Sequence, residues 1–250
     1  MSETDQGVAI PVRDVHPGLD PDLDPLLRLG GQLGGHRSAD KVDARRNQLA
    51  ESALKTLGEL GYARTSLREI AANSEFSHGV VHYYFRDKAE LIVYCVRYYK
   101  ARCVTRYDAV VADSTTSAGL LDAFAAKLAE TLRDEAPMHR LWYDLRIQSM
   151  FDETLREAVT MIDRTLEEMI WRVITRYAEL EGREVAAESG TAYGVLDGVF
   201  QQALLALGTD EEAALGRISG QVHSLMPLLL APSTIPDPAD AFHPAASGAT

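Results

Sequence analysis

From about residue 43 to residue 230 apolar side chains return at three- and four-residue spacing, the period of an α-helix, and no stretch alternates as a strand would. The span 43–60 carries Leu49, Ala53, Leu57 and Leu60 as one stripe and stops at Gly61, a residue suited to ending a helix. Residues 67–73 follow as a short helix. Ser66 and Glu69 stand in the spacing of a capping box, in which each side chain satisfies a free backbone N–H of the first turn. Ser77 caps another short helix, 78–84, with Phe76 as an apolar plug between the two. Asp87 and Glu90 repeat the box and open a longer helix carrying Leu91, Ile92, Cys95 and Val96, expected to reach about Tyr107.

The two short helices hold the first candidate chemistry. Val81 and Tyr84 are spaced to face inward, which leaves His78, Gly79, Val80, His82 and Tyr83 for the outer face. A capped helix with small and polar residues at a protruding end suits the major groove of DNA. Hydroxyls at Thr65, Ser66, Ser77 and Tyr83 and the cation of Lys88 are candidate phosphate contacts. Val80 can touch a thymine methyl, His78 and His82 can reach base edges, and Gly79 permits close approach. Arg45 and Arg46, on the preceding helix, are candidates for phosphate or the minor groove.

The run Gly61-Tyr62-Ala63-Arg64-Thr65-Ser66-Leu67-Arg68-Glu69-Ile70-Ala71, then Phe76-Ser77-His78-Gly79 and Tyr83-Tyr84-Phe85-Arg86-Asp87-Lys88-Ala89-Glu90-Leu91, resembles the DNA-binding domain of the TetR/AcrR family over residues 44 to 92. The resemblance implies an all-α homodimeric repressor whose C-terminal domain binds a small-molecule effector and thereby releases a double-stranded DNA operator. It departs from the family at Glu75, where glycine is usual in the turn. A positive φ there would cost glutamate on the order of 1 kcal/mol. His78 stands where lysine is common and His82 where tyrosine is, so base preference does not carry over.

The rest of the chain reads as the controlling body. Leu155, Val159, Ile162, Leu166, Met169, Val173 and Tyr177 form one long stripe, and 191–207 another helix. Thr209 with Glu212 suggests a box opening a last helix. In the family the last two helices pair with their copies in a second subunit, which assigns Leu196, Phe200, Leu204, Ile218, Val222 and Leu225 to a dimer interface, with Gly194 and Gly198 permitting a close crossing. Large, adaptable or polar residues in otherwise apolar helices are candidates for an effector pocket: Met138, Trp142, Tyr143, Arg146, Met150, Trp171, Tyr193 and Gln201. Acidic neighbours of the tryptophans admit a cationic ligand held by cation–π contact, while an acyl or aromatic ligand fits equally. The expected division is an extension at 1–36, a DNA-binding domain at 37–87, a ligand-binding and dimerisation domain at 88–230 and a flexible tail at 231–250.

Charge sharpens this division. The chain carries −12 overall, yet residues 37–106 hold thirteen Lys and Arg against eight Asp and Glu. A basic module on an acidic body favours a single DNA-facing end. Pro11, Pro17, Pro21 and Pro25, with glycines and acidic residues between, suggest that the extension is mostly unstructured, apart from one short turn over Leu19, Leu23, Leu26, Leu27 and Leu29. No run of 18 apolar residues spans a membrane, no secretory signal opens the chain, and the two cysteines form no metal or redox motif, which fits a reduced cytoplasmic protein. Two other readings remain open: an activator that binds DNA without a small molecule, and a helical-bundle enzyme. For the enzyme, His78 and His82 are the only pair at metal-ligand spacing and lack a third ligand, while His139 lacks a nucleophile. No metal, cofactor or catalytic group is therefore expected.

Overall fold

A computed structural model describes residues 36–232. The expected turn over Leu19–Leu29 and nearly all of the tail lie outside these residues. Ten helices follow in order: α1 His36–Arg64, α2 Leu67–Ala72, α3 His78–Tyr84, α4 Lys88–Cys103, α5 Asp108–Asp113, α6 Ser117–Asp134, α7 Ala136–Gln148, α8 Glu153–Glu181, α9 Ser189–Leu207 and α10 Glu211–Leu225. A 3₁₀ turn, Met226–Leu229, ends the described chain. The only extended pairing among the described residues is one antiparallel bridge between Val185 and Leu230.

Local chemistry sets most of the boundaries. α1 starts earlier than the apolar stripe indicated and bends at Gly61, where φ is 74° and ψ is 174°. That combination is essentially closed to residues with a Cβ, so the glycine makes the bend possible. The box at Ser66 and Glu69 has both of its hydrogen bonds. The Ser77 hydroxyl accepts from the Val80 N–H, and the Asp87 carboxylate accepts from the Glu90 N–H. The second box is completed differently from expectation, because the Glu90 carboxylate accepts from Arg86 rather than from the cap residue. α4 stops at Cys103, short of Tyr107, as the next backbone bonds tighten to three-residue spacing: Arg106 donates to Cys103 and Asp108 to Thr105. The cap of α10 is Asp210, whose carboxylate accepts from the Ala213 N–H; it replaces the expected Thr209.

α8 is the central member of the body and touches α4, α5, α6, α7 and α9. Every residue of its predicted stripe is buried. α6, α9 and α10 pack on one another, and α1 rests on α4 and α7. The stripe on α1 is buried at Leu49, Ala53 and Leu57, so one continuous apolar core joins the helix-turn-helix to the body.

Within a single chain most of the residues expected at a dimer interface are already covered. Leu196, Phe200, Leu204, Ile218 and Val222 are buried within the chain's own core, and Leu225 is half-buried. A sequence stripe marks the face a helix must cover; here the covering surface is intramolecular. The outward faces of α9 and α10 instead carry Val195 and Leu205, with Gly194, Gly198, Gly216 and Gly220 open to space, and Leu228 follows in the 3₁₀ turn.

Candidate nucleic-acid interface and internal cavity

The tip of α3 protrudes. Ser77, His78, Gly79 and His82 are exposed, Tyr83 is 79% exposed, and Val80 is half-buried at the rim. Val81 is fully buried and anchors the helix, with Phe76 plugged beneath the turn. The His78 and His82 rings meet edge to face with centroids 4.4 Å apart, and Tyr83 meets Tyr84 the same way at 4.9 Å. The turn before α3 is held by Ser74, whose hydroxyl donates to the Ala71 carbonyl (3.2 Å) and accepts from the Phe76 N–H (3.2 Å). Glu75 points outward from it, exposed.

Other residues expected at DNA are engaged elsewhere. Thr65 is buried and its hydroxyl donates to the Gly61 carbonyl (2.7 Å), tying the bend of α1. Arg46 is paired with Glu90 (3.1 Å) and lies over the Phe85 and Tyr94 rings, 4.8 and 4.6 Å from their centroids. Both therefore hold the module together in this conformation. Arg45, half-buried, stacks on Phe76 at 4.3 Å and bonds Gln48. Lys88 lies over the Tyr62 ring at 4.2 Å. Ser66 is exposed, with its oxygen capping α2.

Behind this module the body holds a partly open cavity lined from α4, α6, α7, α8 and α9 and by Tyr107. Its volume is about 70 Å³, room for a handful of waters or a small organic group without rearrangement. Trp142, Tyr143 and Tyr193 line it as expected. Arg146 stands one bond behind, donating to Asp197 (2.6 Å) and pairing with Asp163 (3.4 Å). The Tyr143 hydroxyl also donates to Asp197 (3.0 Å), and that of Tyr193 to Asp163 (2.8 Å). Burial and these carboxylates push both phenols well above their ordinary range.

Four expected pocket residues are placed elsewhere. Met138 packs toward Gly58 of α1, Met150 is exposed, and Trp171 and Gln201 are half-buried away from the lining. Their helix positions face outward or toward α1, which residue type alone does not reveal. Lys100, Phe124, His139 and Asp197 line the cavity and were missed as pocket residues. For Lys100 a signal existed: it follows Val96 by four and precedes Cys103 by three, so it shares their buried face. Burial, aided by Lys100 and Arg106, holds His139 neutral with its pKa well below the ordinary value.

Two helices touch both the cavity and the DNA-binding module. α4 brings Lys100 to the cavity and, further up, Tyr94 and Tyr98 to α1, where their hydroxyls donate to Asn47 and Glu51 (both 2.6 Å). α7 brings His139, Trp142 and Tyr143 to the cavity, and on its other side Asp144 accepts from the Tyr62 N–H (2.9 Å) at the bend of α1.

No helix among the described residues is long and apolar enough to cross a membrane, and no cluster of three His, Cys, Asp or Glu among them is placed to hold a metal. Residues 49–95 match the family described as bacterial regulatory proteins, tetR family. The helix-turn-helix transcriptional regulator BetI of Burkholderia thailandensis is 30% identical over 194 residues, covering 76% of this chain and 95% of its own length. A TetR transcription regulator from Haloarcula marismortui has the same fold, with TM-score 0.62 at 19% identity, over 76% of this chain and 100% of that one. So do FadR from Bacillus subtilis in complex with stearoyl-CoA (TM-score 0.57, 16% identity, 74% and 97%) and a regulator from Saccharomonospora viridis in complex with choline (TM-score 0.54, 17% identity, 76% and 100%). With a tetR-type module at the position of the protruding α3, and a relative matched over nearly its whole length, this chain belongs to the TetR family of DNA-binding transcriptional regulators.

Proposed function

We propose that the protein is a ligand-responsive repressor that binds a pseudo-palindromic operator as a homodimer and leaves it when a small molecule enters the cavity. The observation carrying this reading is that two of the helices lining the cavity, α4 and α7, are also those on which α1 rests. A ligand that spreads or draws together these two helices moves the base of the helix-turn-helix with them. Differential affinity of about 1–3 kcal/mol for the two arrangements suffices for a useful switch. Fold relatives that carry choline and stearoyl-CoA support a ligand in the body and leave its chemistry open.

Dimerisation through the outward faces of α9 and α10 fits the residues left there. Four uncovered glycines allow backbones to cross closely, and Val195, Leu205 and Leu228 supply apolar surface that a single chain leaves in water. Two recognition helices then reach half-sites about 34 Å apart. His78, His82 and Tyr83 are the side chains offered to the groove, with Ser77 and Lys88 beside the backbone. The test is fluorescence anisotropy with DNA flanking the protein's own gene. A sequence-selective complex that weakens steeply with salt is expected, and its absence refutes the proposal.

A further inference from the structure

The cavity is polar in an unbalanced way. Lys100 from α4 and His139 and Trp142 from α7 line it, at 4%, 8% and 2% exposure. The Lys100 Nζ makes no hydrogen bond or ion pair among the described residues, and burial lowers its pKa; it stands 5.2 Å from the Trp142 ring and 5.5 Å from that of Tyr99. The Trp142 indole Nε1 and the His139 Nε2 are also buried without a partner. Buried polar groups normally find partners within the chain, and a buried cation without one is costly. The Trp142 N–H and the Lys100 Nζ leave an unfilled demand for an acceptor, while the His139 Nε2 donates or accepts according to its tautomer.

The negative charge on the same wall is already used. Asp197 accepts from the Tyr143 hydroxyl through Oδ1 and from Arg146 through Oδ2. The aromatic faces that would hold a foreign cation are occupied as well: Lys100 and Arg146 lie over Trp142, at 5.2 and 5.9 Å, and Arg146 lies 5.8 Å over Tyr143. An incoming ammonium would meet Lys100 as a like charge in a poorly screened site. Most of the remaining lining is apolar, with Phe124, Leu128, Leu166, Met169 and Phe200 beside the phenols of Tyr107 and Tyr193.

We propose that the effector is a small organic anion, a carboxylate on a compact apolar or aromatic body, whose charged group is taken by Lys100 and the Trp142 indole N–H while the body fills the apolar remainder. The inference rests on the reading of this cavity as the effector site. Such a ligand bridges α4 and α7, the two supports of α1. The small volume of the cavity, about 70 Å³ against roughly 150 Å³ for a cavity that holds benzene, favours a compact body over a long acyl chain and requires α4 and α7 to part for a phenyl ring.

The test uses the full-length protein and matched probes: benzoate, phenylacetate and 3-phenylpropionate, their primary amides, and choline and benzyltrimethylammonium. Binding is read by thermal shift and calorimetry, and DNA release separately by anisotropy. At least one carboxylate is expected to bind tenfold or more tightly than its amide, with no saturable binding of either ammonium. Lys100→Met is expected to remove that preference without lowering the melting temperature of the free protein, since it replaces an unpaired buried charge by an apolar chain of similar length. Trp142→Phe is expected to weaken carboxylates selectively. A carboxylate that binds no better than its amide, whether both bind or neither does, overturns the proposal. So does tighter binding of an ammonium, or an unchanged preference in Lys100→Met. Carboxylate binding without DNA release upholds the anion site and refutes the effector reading. Release by choline alone does the reverse.

Discussion

Gly61, Ser77 and His139 show how single positions carry separable tasks. At Gly61 the backbone sits where only glycine is comfortable, so Gly61→Ala is expected to cost about 1–3 kcal/mol in urea unfolding, although the site is not tightly packed. Ser77 both caps α3 and faces outward. Ser77→Asp keeps a good cap, so stability should stay within about 0.5 kcal/mol, while the added negative charge facing DNA abolishes complex formation in the anisotropy assay. His139 is held neutral by burial and by the Lys100 and Arg106 cations. In the unfolded chain it takes up a proton near pH 6.5. Its contribution is therefore complete above about pH 6.5 and is lost as pH falls below it toward the depressed native value. His139→Gln should flatten that limb of stability against pH, as read from denaturant midpoints between pH 7 and 5.

Among the elements, α7 is two-sided. One face presents His139, Trp142 and Tyr143 to the cavity, and the other sets Asp144 against the Tyr62 N–H. Asp144→Ala removes that acceptor and is expected to cost about 1 kcal/mol. Hydrogen exchange should quicken in α1–α3 relative to the middle of α8, the central member of the body. Equal protection in both regions would show that α7 does not steady the DNA-binding module. The helices were legible because their signals are local: period, cap and stop residues lie within a few positions of one another. The capping box at Ser66 and the cap at Ser77 formed as the spacing predicts. The α10 cap moved by one residue because Asp210 sits beside Thr209, and the carboxylate made the bond.

For the whole molecule, the outward surface of α9 and α10 is the proposed meeting place of two copies. Leu205→Glu, at a side chain 70% exposed in one chain, should leave the fold intact and yield a monomer in analytical ultracentrifugation. The monomer should bind the operator far more weakly, because the two half-sites then act separately. A dimer persisting in that variant would place the interface elsewhere. The sequence by itself determined the all-helical architecture, the capped helix pair, its outward-facing tip and the family, since each depends on residues close together along the chain. Only the tertiary structure decided which apolar stripes are used up internally, that Arg46 braces the module, and that Lys100, Trp142 and His139 surround one cavity. Those outcomes depend on which helix faces meet, and residues on different helices, such as Arg46 and Glu90, leave no mark of that meeting in a local pattern.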